Sequence, residues 1–281
     1  MILVTGATGA NGAELIKLLS TAGVPVRAMT RRANQALAGV EFVTADFDDP
    51  QSVRRALEGI NRAFLVTNSS ERVEAQQLAF VEAARAAGVR HTVYLSQLHA
   101  ATNSPVRFLH YHAVVEAALA ASGMAFTNLR PNLYMQALLG FRSSITAQGR
   151  IFAPAGDARV SIVDVRDIAA IAAAAITGSG HEGKTYDITG PQALTHAELA
   201  LELTEALGRE VTFVDIPESA MRDALHGFGI PQWQAEGLIE DYAHYRRGEA
   251  ADVSTAVQEV TGKPPRTFAQ FARDYKPAFL E

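Results

Sequence analysis

Apolar positions in the first half of the chain fall into two alternating rhythms. Short apolar runs bounded by glycine, proline or small polar residues predict buried strands at 2–4, 26–29, 40–44, 63–67, 92–96 and 126–130. Between them, apolar residues recur at helical spacing. Leu15, Ile16, Leu18 and Leu19 mark one helix, residues 71–87 another, and Leu109, Val114, Val115, Ala118 and Leu119 a third over 107–122. Asp49 before Pro50 reads as an N-cap followed by a first helical residue. Regular strand–helix alternation predicts an α/β fold with a doubly wound parallel sheet. Beyond residue 130 the alternation loosens. Short strands are expected around Phe152 and at 160–163, 184–188 and 211–214, and helices at 167–177 and 195–207. Thr195 and Glu198 form a capping-box pair, and the chain from Pro217 onward reads as mostly helical.

The first strand runs directly into Gly6-x-x-Gly9-x-x-Gly12, and a helix follows at once. Glycine permits positive φ and close approach of a ligand to the backbone, and a helix start offers free N–H groups to a phosphate. In this context the motif predicts a dinucleotide site in a Rossmann-type sheet, with Gly6, Thr8, Gly9, Asn11 and Gly12 as its contact residues. Where NAD-specific sites carry a carboxylate for the ribose 2′-hydroxyl, this chain has Arg31 and Arg32, so NADP(H) is expected in preference to NAD(H). Asp46 and Phe47 end the third strand and are candidates for the adenine amino group and ring. Thr67, Asn68 and Ser69 end the fourth and Ser96 the fifth, all on the side where ligands bind such sheets.

Composition narrows the classes. A net charge of -5 and only four lysines argue against a nucleic-acid partner. The absence of cysteine excludes disulfides, thiol nucleophiles and thiolate metal sites. No apolar run reaches a membrane span, the alanine-rich run at 168–176 being too short, and the first apolar run is too short for a signal peptide. A cytoplasmic protein is expected. His110 and His112 are two apart and face different sides of a helix, so no metal is expected.

The start Thr5-Gly6-Ala7-Thr8-Gly9-x-x-Gly12 resembles the atypical short-chain dehydrogenase/reductases, and more narrowly the NmrA-like group. Supporting segments are Ser122-Gly123-Met124-Ala125-Phe126-Thr127, Leu129-Arg130-Pro131-Asn132 with Tyr134, the stretch from Gly180 to Gly190, and Thr195-His196-Ala197-Glu198-Leu199-Ala200. The glycine fingerprint falls in a dinucleotide-binding part over 1–150, and the part over 151–281, which lacks such a fingerprint, is expected to be a smaller, mainly helical substrate side. The two are interleaved, with no linker-like stretch between them. The resemblance implies activities such as triphenylmethane-dye or quinone reduction, or a non-catalytic nucleotide sensor. One departure from ordinary short-chain dehydrogenases is plain. None of the seven tyrosines has lysine four residues later. An alcohol-dehydrogenase or sugar-nucleotide-epimerase mechanism is therefore disfavoured.

By the resemblance, His112 sits near the cofactor ribose, to bond it or to donate a proton, and Pro131, Asn132 and Tyr134 pass the nicotinamide, with Tyr134 facing the acceptor. His112 equally fits a surface pair with Glu116 one turn on. Phe141, Phe152, Phe228 and Trp233 read as core first and pocket second. The expected function is hydride transfer from NADPH to a small, flat, electron-poor aromatic acceptor. The alternative is an NADP(H)-sensing regulator acting through a protein partner. A homodimer is compatible with either.

Overall fold

The computed structural model describes residues 1–32 and 37–280. In chain order the elements are β1 Ile2–Val4, α1 Ala10–Thr21, β2 Val26–Thr30, β3 Val40–Thr44, α2 Pro50–Leu57, β4 Arg62–Leu65, α3 Val73–Ala86, β5 His91–Leu95, α4 Arg107–Ala121 and β6 Ala125–Pro131. A 3-10 helix, Met135–Phe141, leads to α5 Arg142–Gln148, β7 Arg150–Ala153, β8 Arg159–Val160, α6 Val165–Thr177, β9 Lys184–Ile188, β10 Leu194–Thr195, α7 His196–Leu207 and β11 Thr212–Asp215. The chain closes with α8 Glu218–Gly227, α9 Gln232–Arg246, α10 Ala256–Thr261, α11 Phe268–Asp274 and α12 Lys276–Leu280. None of the described helices is long and apolar enough to cross a membrane.

The Cα positions divide into two compact units. One comprises Met1–Ser104, Leu109–Arg130 and Ile168–Tyr186, and the other Pro105–Phe108, Pro131–Asp167 and Asp187–Glu281. The central sheet has the order β3-β2-β1-β4-β5-β6-β9, and its registers from β3 to β6 are parallel. The chain steps outward from β1 to β3, then returns to β4 on the other side of β1. Strand order thus reverses between β1 and β4, which is where doubly wound sheets bind ligands. β1 and β5 are buried along their whole length, as expected of strands covered by helices on both faces. β3, at the edge, has no fully buried residue. The core of this unit packs Leu3, Leu57, Phe80, Tyr94 and Leu119 together.

Local signals hold well here. The Asp49 carboxylate accepts from the N–H groups of Gln51 and Ser52 at 3.0 and 3.3 Å, and Pro50 opens α2. β4 stops at Leu65, so Val66 and Thr67 belong to the following loop rather than to the strand.

The second unit pairs β7 with β11 in parallel and β8 with β10 antiparallel. Thr195 and Glu198 form both arms of the capping box that starts α7, and Gly208 ends it at φ 74°. One aromatic cluster of its core centres on Phe271. Phe271 meets Phe268, Tyr275 and Phe279 at ring distances of 5.5, 4.6 and 6.1 Å. The strand expected at 160–163 ends at Val160. Beyond it the backbone bonds to loops: Ser161 N–H donates to Ala250 O at 3.0 Å and Val163 N–H to Leu133 O at 2.9 Å. The apolar run there is buried without being a strand. Of the outlying aromatics, Phe228 is 79% exposed, whereas Trp233 packs on Phe108 at 5.4 Å.

Phe271→Ala removes a fully buried ring from this cluster and is expected to lower the unfolding free energy by about 3–5 kcal/mol. Thr195→Ala, which breaks only the cap, should lower it by about 1 kcal/mol. Urea denaturation of the two variants checks both the magnitudes and their order.

Candidate dinucleotide site and its buried hydrogen-bond chain

The glycine turn is shaped by close contacts that leave no room for a side chain. Gly6 has φ 56°, and Gly9 N–H donates to Gly6 O at 2.9 Å. A Cβ added at Gly12 would lie 2.2 Å from Gly6 O, and one at Gly6 would lie 2.7 Å from Val66 Cγ1. Any side chain at these two positions would push the turn open. Thr5 fastens β1 to the loop after β4, because its hydroxyl donates to Val66 O and accepts from Val66 N–H, both at 2.8 Å. α1 begins with Gly9 as N-cap, with no side-chain cap and no acidic residue in its first turn. Its first N–H groups are therefore left for a ligand. Asn11 is buried, and its Oδ1 has no hydrogen-bond partner among the described residues. A shaped backbone cradle and an orphaned buried acceptor fit a polar ligand at this loop. Thr8 is exposed on its rim.

Other expected residues of this unit are placed as follows. Arg31 and Arg32 are exposed after β2, and among the described residues neither guanidinium is in an ion pair. Asp46 Oδ1 accepts from Asp48 N–H at 3.0 Å, which fixes its carboxylate, and Phe47 leans on Phe80 at 5.9 Å. Asn68 is exposed, and Thr67 and Ser69 are half-buried. Ser96 is buried, and its hydroxyl donates to Glu116 Oε1 at 2.5 Å. Glu116 also takes Arg130 in a two-point pair, Nε to Oε1 at 2.8 Å and an Nη to Oε2 at 2.5 Å. Glu116 is thus engaged by Arg130 and Ser96, whereas the ring nitrogen of His112 turns to Tyr94.

His112 heads a chain of three hydrogen bonds. Its Nδ1 lies 2.7 Å from Tyr94 Oη, Tyr94 O–H donates to Gln77 Oε1 at 2.7 Å, and Gln77 Nε2 donates to Thr67 Oγ1 at 2.7 Å. Burial first, and the Arg130 charge second, push the His112 imidazole down to about 3. The residue is neutral at physiological pH. Gln77 and Tyr94 are absent from the sequence expectation. The signals for them are physical. Gln77 interrupts the apolar stripe of α3 formed by Val73, Phe80, Val81 and Ala84. Tyr94 sits inside a strand with no exposed residue, where a hydroxyl must find an internal partner.

Pro131, Asn132 and Tyr134 belong to the second unit. The Asn132 amide is fully engaged: Nδ2 lies 2.9 Å from both Ser161 Oγ and Ala250 O, and Oδ1 accepts from Leu133 N–H at 2.8 Å. Pro131 is buried, and Tyr134 is half-buried at the head of the 3-10 helix. No group of three or more potential metal-ligating side chains occurs among the described residues.

The chain belongs to the NmrA-like family, whose pattern it matches over residues 1–272. It is 38% identical to an NAD(P)H azoreductase of Xenophilus azovorans, over 99% of each chain. It is 33% identical to quinone oxidoreductase 2 of Escherichia coli K12, over 96% of each. Among solved structures, an E. coli NADPH-dependent quinone oxidoreductase complexed with NADPH superposes with a TM-score of 0.87 at 32% identity, over 98% of this chain and 99% of that one.

A histidine held near pH 3 when folded regains its ordinary value of 6.5 when unfolded. Between those limits the unfolded chain binds the extra proton. The stabilisation is therefore complete above pH 6.5 and is lost as pH falls toward 3. Burial gives His196, pushed down to about 4, the same sign. Its two ring nitrogens have no partner among the described residues, and it packs on Phe213 and Tyr242. Unfolding free energy from urea titrations should drop between pH 6.5 and 4 by about 1.4 kcal/mol per unit for each such histidine. His196→Phe should flatten that slope by one proton, and an unchanged slope would refute the assignment.

Proposed function

We propose that this protein is an NADPH-dependent reductase whose acceptor is a flat, electron-poor aromatic compound of the quinone, azo or cationic-dye type. The carrying observation is a contrast within the first unit. The glycine cradle is intact, while the titratable side chains on the neighbouring strands and helix are engaged with one another. Tyr94 gives its proton to Gln77, Glu116 is paired with Arg130, and His112 is kept neutral by burial. No side chain of this set is poised to protonate a product. Such a site suits acceptors that delocalise arriving charge and take any proton they need from water. The end-to-end likeness to an azoreductase and a quinone oxidoreductase supports the same acceptor class.

When bound, the dihydronicotinamide would supply the hydride; a quinone or azo acceptor would also take a proton from solvent, whereas a cationic dye is neutralised by the hydride alone. The chain's own residues bind and orient. Gly6, Gly9 and Gly12 let the pyrophosphate approach the start of α1, with Thr8 at the rim and Asn11 Oδ1 accepting from the ligand or its water. Arg31 takes the 2′-phosphate of NADP(H) by charge-assisted bonds, aided by Arg32. Asp46 and Phe47 receive the adenine, and Thr67, Asn68 and Ser69 line the path along the ribose. Ser96 acts through Glu116, and Asn132 and Pro131 stiffen the segment that carries Tyr134, which offers its ring to the acceptor.

A turnover screen of NADPH and NADH against quinones, azo compounds and triphenylmethane dyes tests this reading. Oxidation of NADPH by at least one class is expected. Tight NADPH binding with no turnover on any class would instead leave a cofactor-sensing protein. Arg31→Ala should reduce the preference for NADPH over NADH by about tenfold, the worth of one charge-assisted hydrogen bond. An unchanged preference would remove Arg31 from the 2′-phosphate site. Gly12→Ala should weaken NADPH and NADH binding alike, because its methyl group displaces the Gly6 carbonyl. Calorimetry on both cofactors separates these two outcomes.

A further inference from the structure

The hydrogen-bond chain that ends on His112 has a direction, and the direction fixes the imidazole. An amide oxygen only accepts, so the single Tyr94 hydroxyl hydrogen goes to Gln77 Oε1. Tyr94 Oη can then meet His112 Nδ1, 2.7 Å away, only as an acceptor. Nδ1 therefore carries the imidazole hydrogen. At the other end Gln77 Nε2 donates to Thr67 Oγ1 at 2.7 Å. Donation runs one way from His112 through Tyr94 and Gln77 to Thr67. Its four members are fixed by α3, α4, β5 and the loop after β4. Gln77, Tyr94 and His112 are buried. At the two ends of the chain lie a lone pair on His112 Nε2 and the hydroxyl hydrogen of Thr67.

We propose that Gln77 and Tyr94 are positioning residues that hold His112 as the neutral Nδ1–H tautomer, so that its Nε2 accepts a hydrogen bond from a ligand hydroxyl instead of donating a proton. This rests on the reductase reading for the identity of the ligand, a dinucleotide ribose hydroxyl. The tautomer itself rests only on the chain of bonds. The arrangement makes the chain polar from end to end. A ligand hydroxyl that donates to Nε2 enters the chain where it begins, and an acceptor at Thr67 meets it where it ends. Successive donors in one direction polarise and strengthen one another. The assignment also excludes His112 as general acid at neutral pH.

Nitrogen-15 NMR of the folded protein, with ring resonances assigned by comparison with His112→Gln, reads the tautomer directly. The wild-type protein should show a protonated Nδ1 and an unprotonated Nε2. In Gln77→Met the Tyr94 hydroxyl loses its acceptor and turns to donate to Nδ1, so the tautomer should invert to Nε2–H. Gln77→Glu, which can still accept from Tyr94, should restore Nδ1–H. NADPH affinity should fall about tenfold in Gln77→Met, as for one hydrogen bond lost, and recover in Gln77→Glu. Inversion is a signature that a merely structural glutamine would not give. An Nε2–H imidazole in the wild-type protein overturns the proposal, as does an unchanged tautomer in a folded Gln77→Met variant. Failure of the wild-type protein to bind NADPH overturns the reductase reading instead and leaves the tautomer measurement standing.

Discussion

The contact between Gly12 and the Gly6 carbonyl is the constraint on which the first unit depends. At 2.2 Å from a would-be Cβ, that carbonyl leaves no room for any side chain. Only because position 12 is bare can α1 start so close to the end of β1, and only then do its free N–H groups lie over the strand reversal. Thr5 secures the same junction from the other side, with both of its short bonds made to the Val66 backbone. The turn is therefore held between β1 and the loop after β4, the pair between which the winding of the sheet reverses. The geometry that admits the helix also leaves its first amides unpaired.

A second constraint is the cost of burying polar groups. Tyr94, Gln77, His112, Ser96 and Glu116 all lie within or against the core of the first unit. Each is satisfied by another member or by Arg130. The result is two adjoining networks: a neutral one that ends on His112 and an ionic one centred on Glu116. The Arg130 charge in the second reinforces the neutrality of His112 in the first. In ordinary short-chain dehydrogenases a lysine and a tyrosine share this work. Here the absence of that pair is matched by groups that keep their protons to themselves.

Much was legible in the chain. The strand–helix alternation, the glycine turn, the Asp49 cap and the Thr195–Glu198 box are local patterns, and each appears in the structure close to its expected bounds. The departures have a common origin. The run at 160–163 has the composition of a strand, but its partners are loops near residues 133 and 250. Ser96 and Asn132 look in sequence like polar residues waiting for a ligand, yet their side chains are spent on Glu116 and on Ser161, Ala250 and Leu133. Hydrogen-bond partners tens of residues away leave no local trace.

By itself the sequence determined the doubly wound sheet and the glycine turn that joins β1 to α1. Those depend on periodicity and on glycine's missing side chain, both of which act over a few residues. The tertiary structure decided what the polar residues behind that turn do. His112 and Glu116 are one helical turn apart, a spacing that suits an exposed pair, and folding sends them to different partners: one to Tyr94, the other to Arg130. Burial makes the difference. Once water is excluded, each polar group must answer to whichever donor or acceptor the distant strands bring against it, and that is set by the fold as a whole.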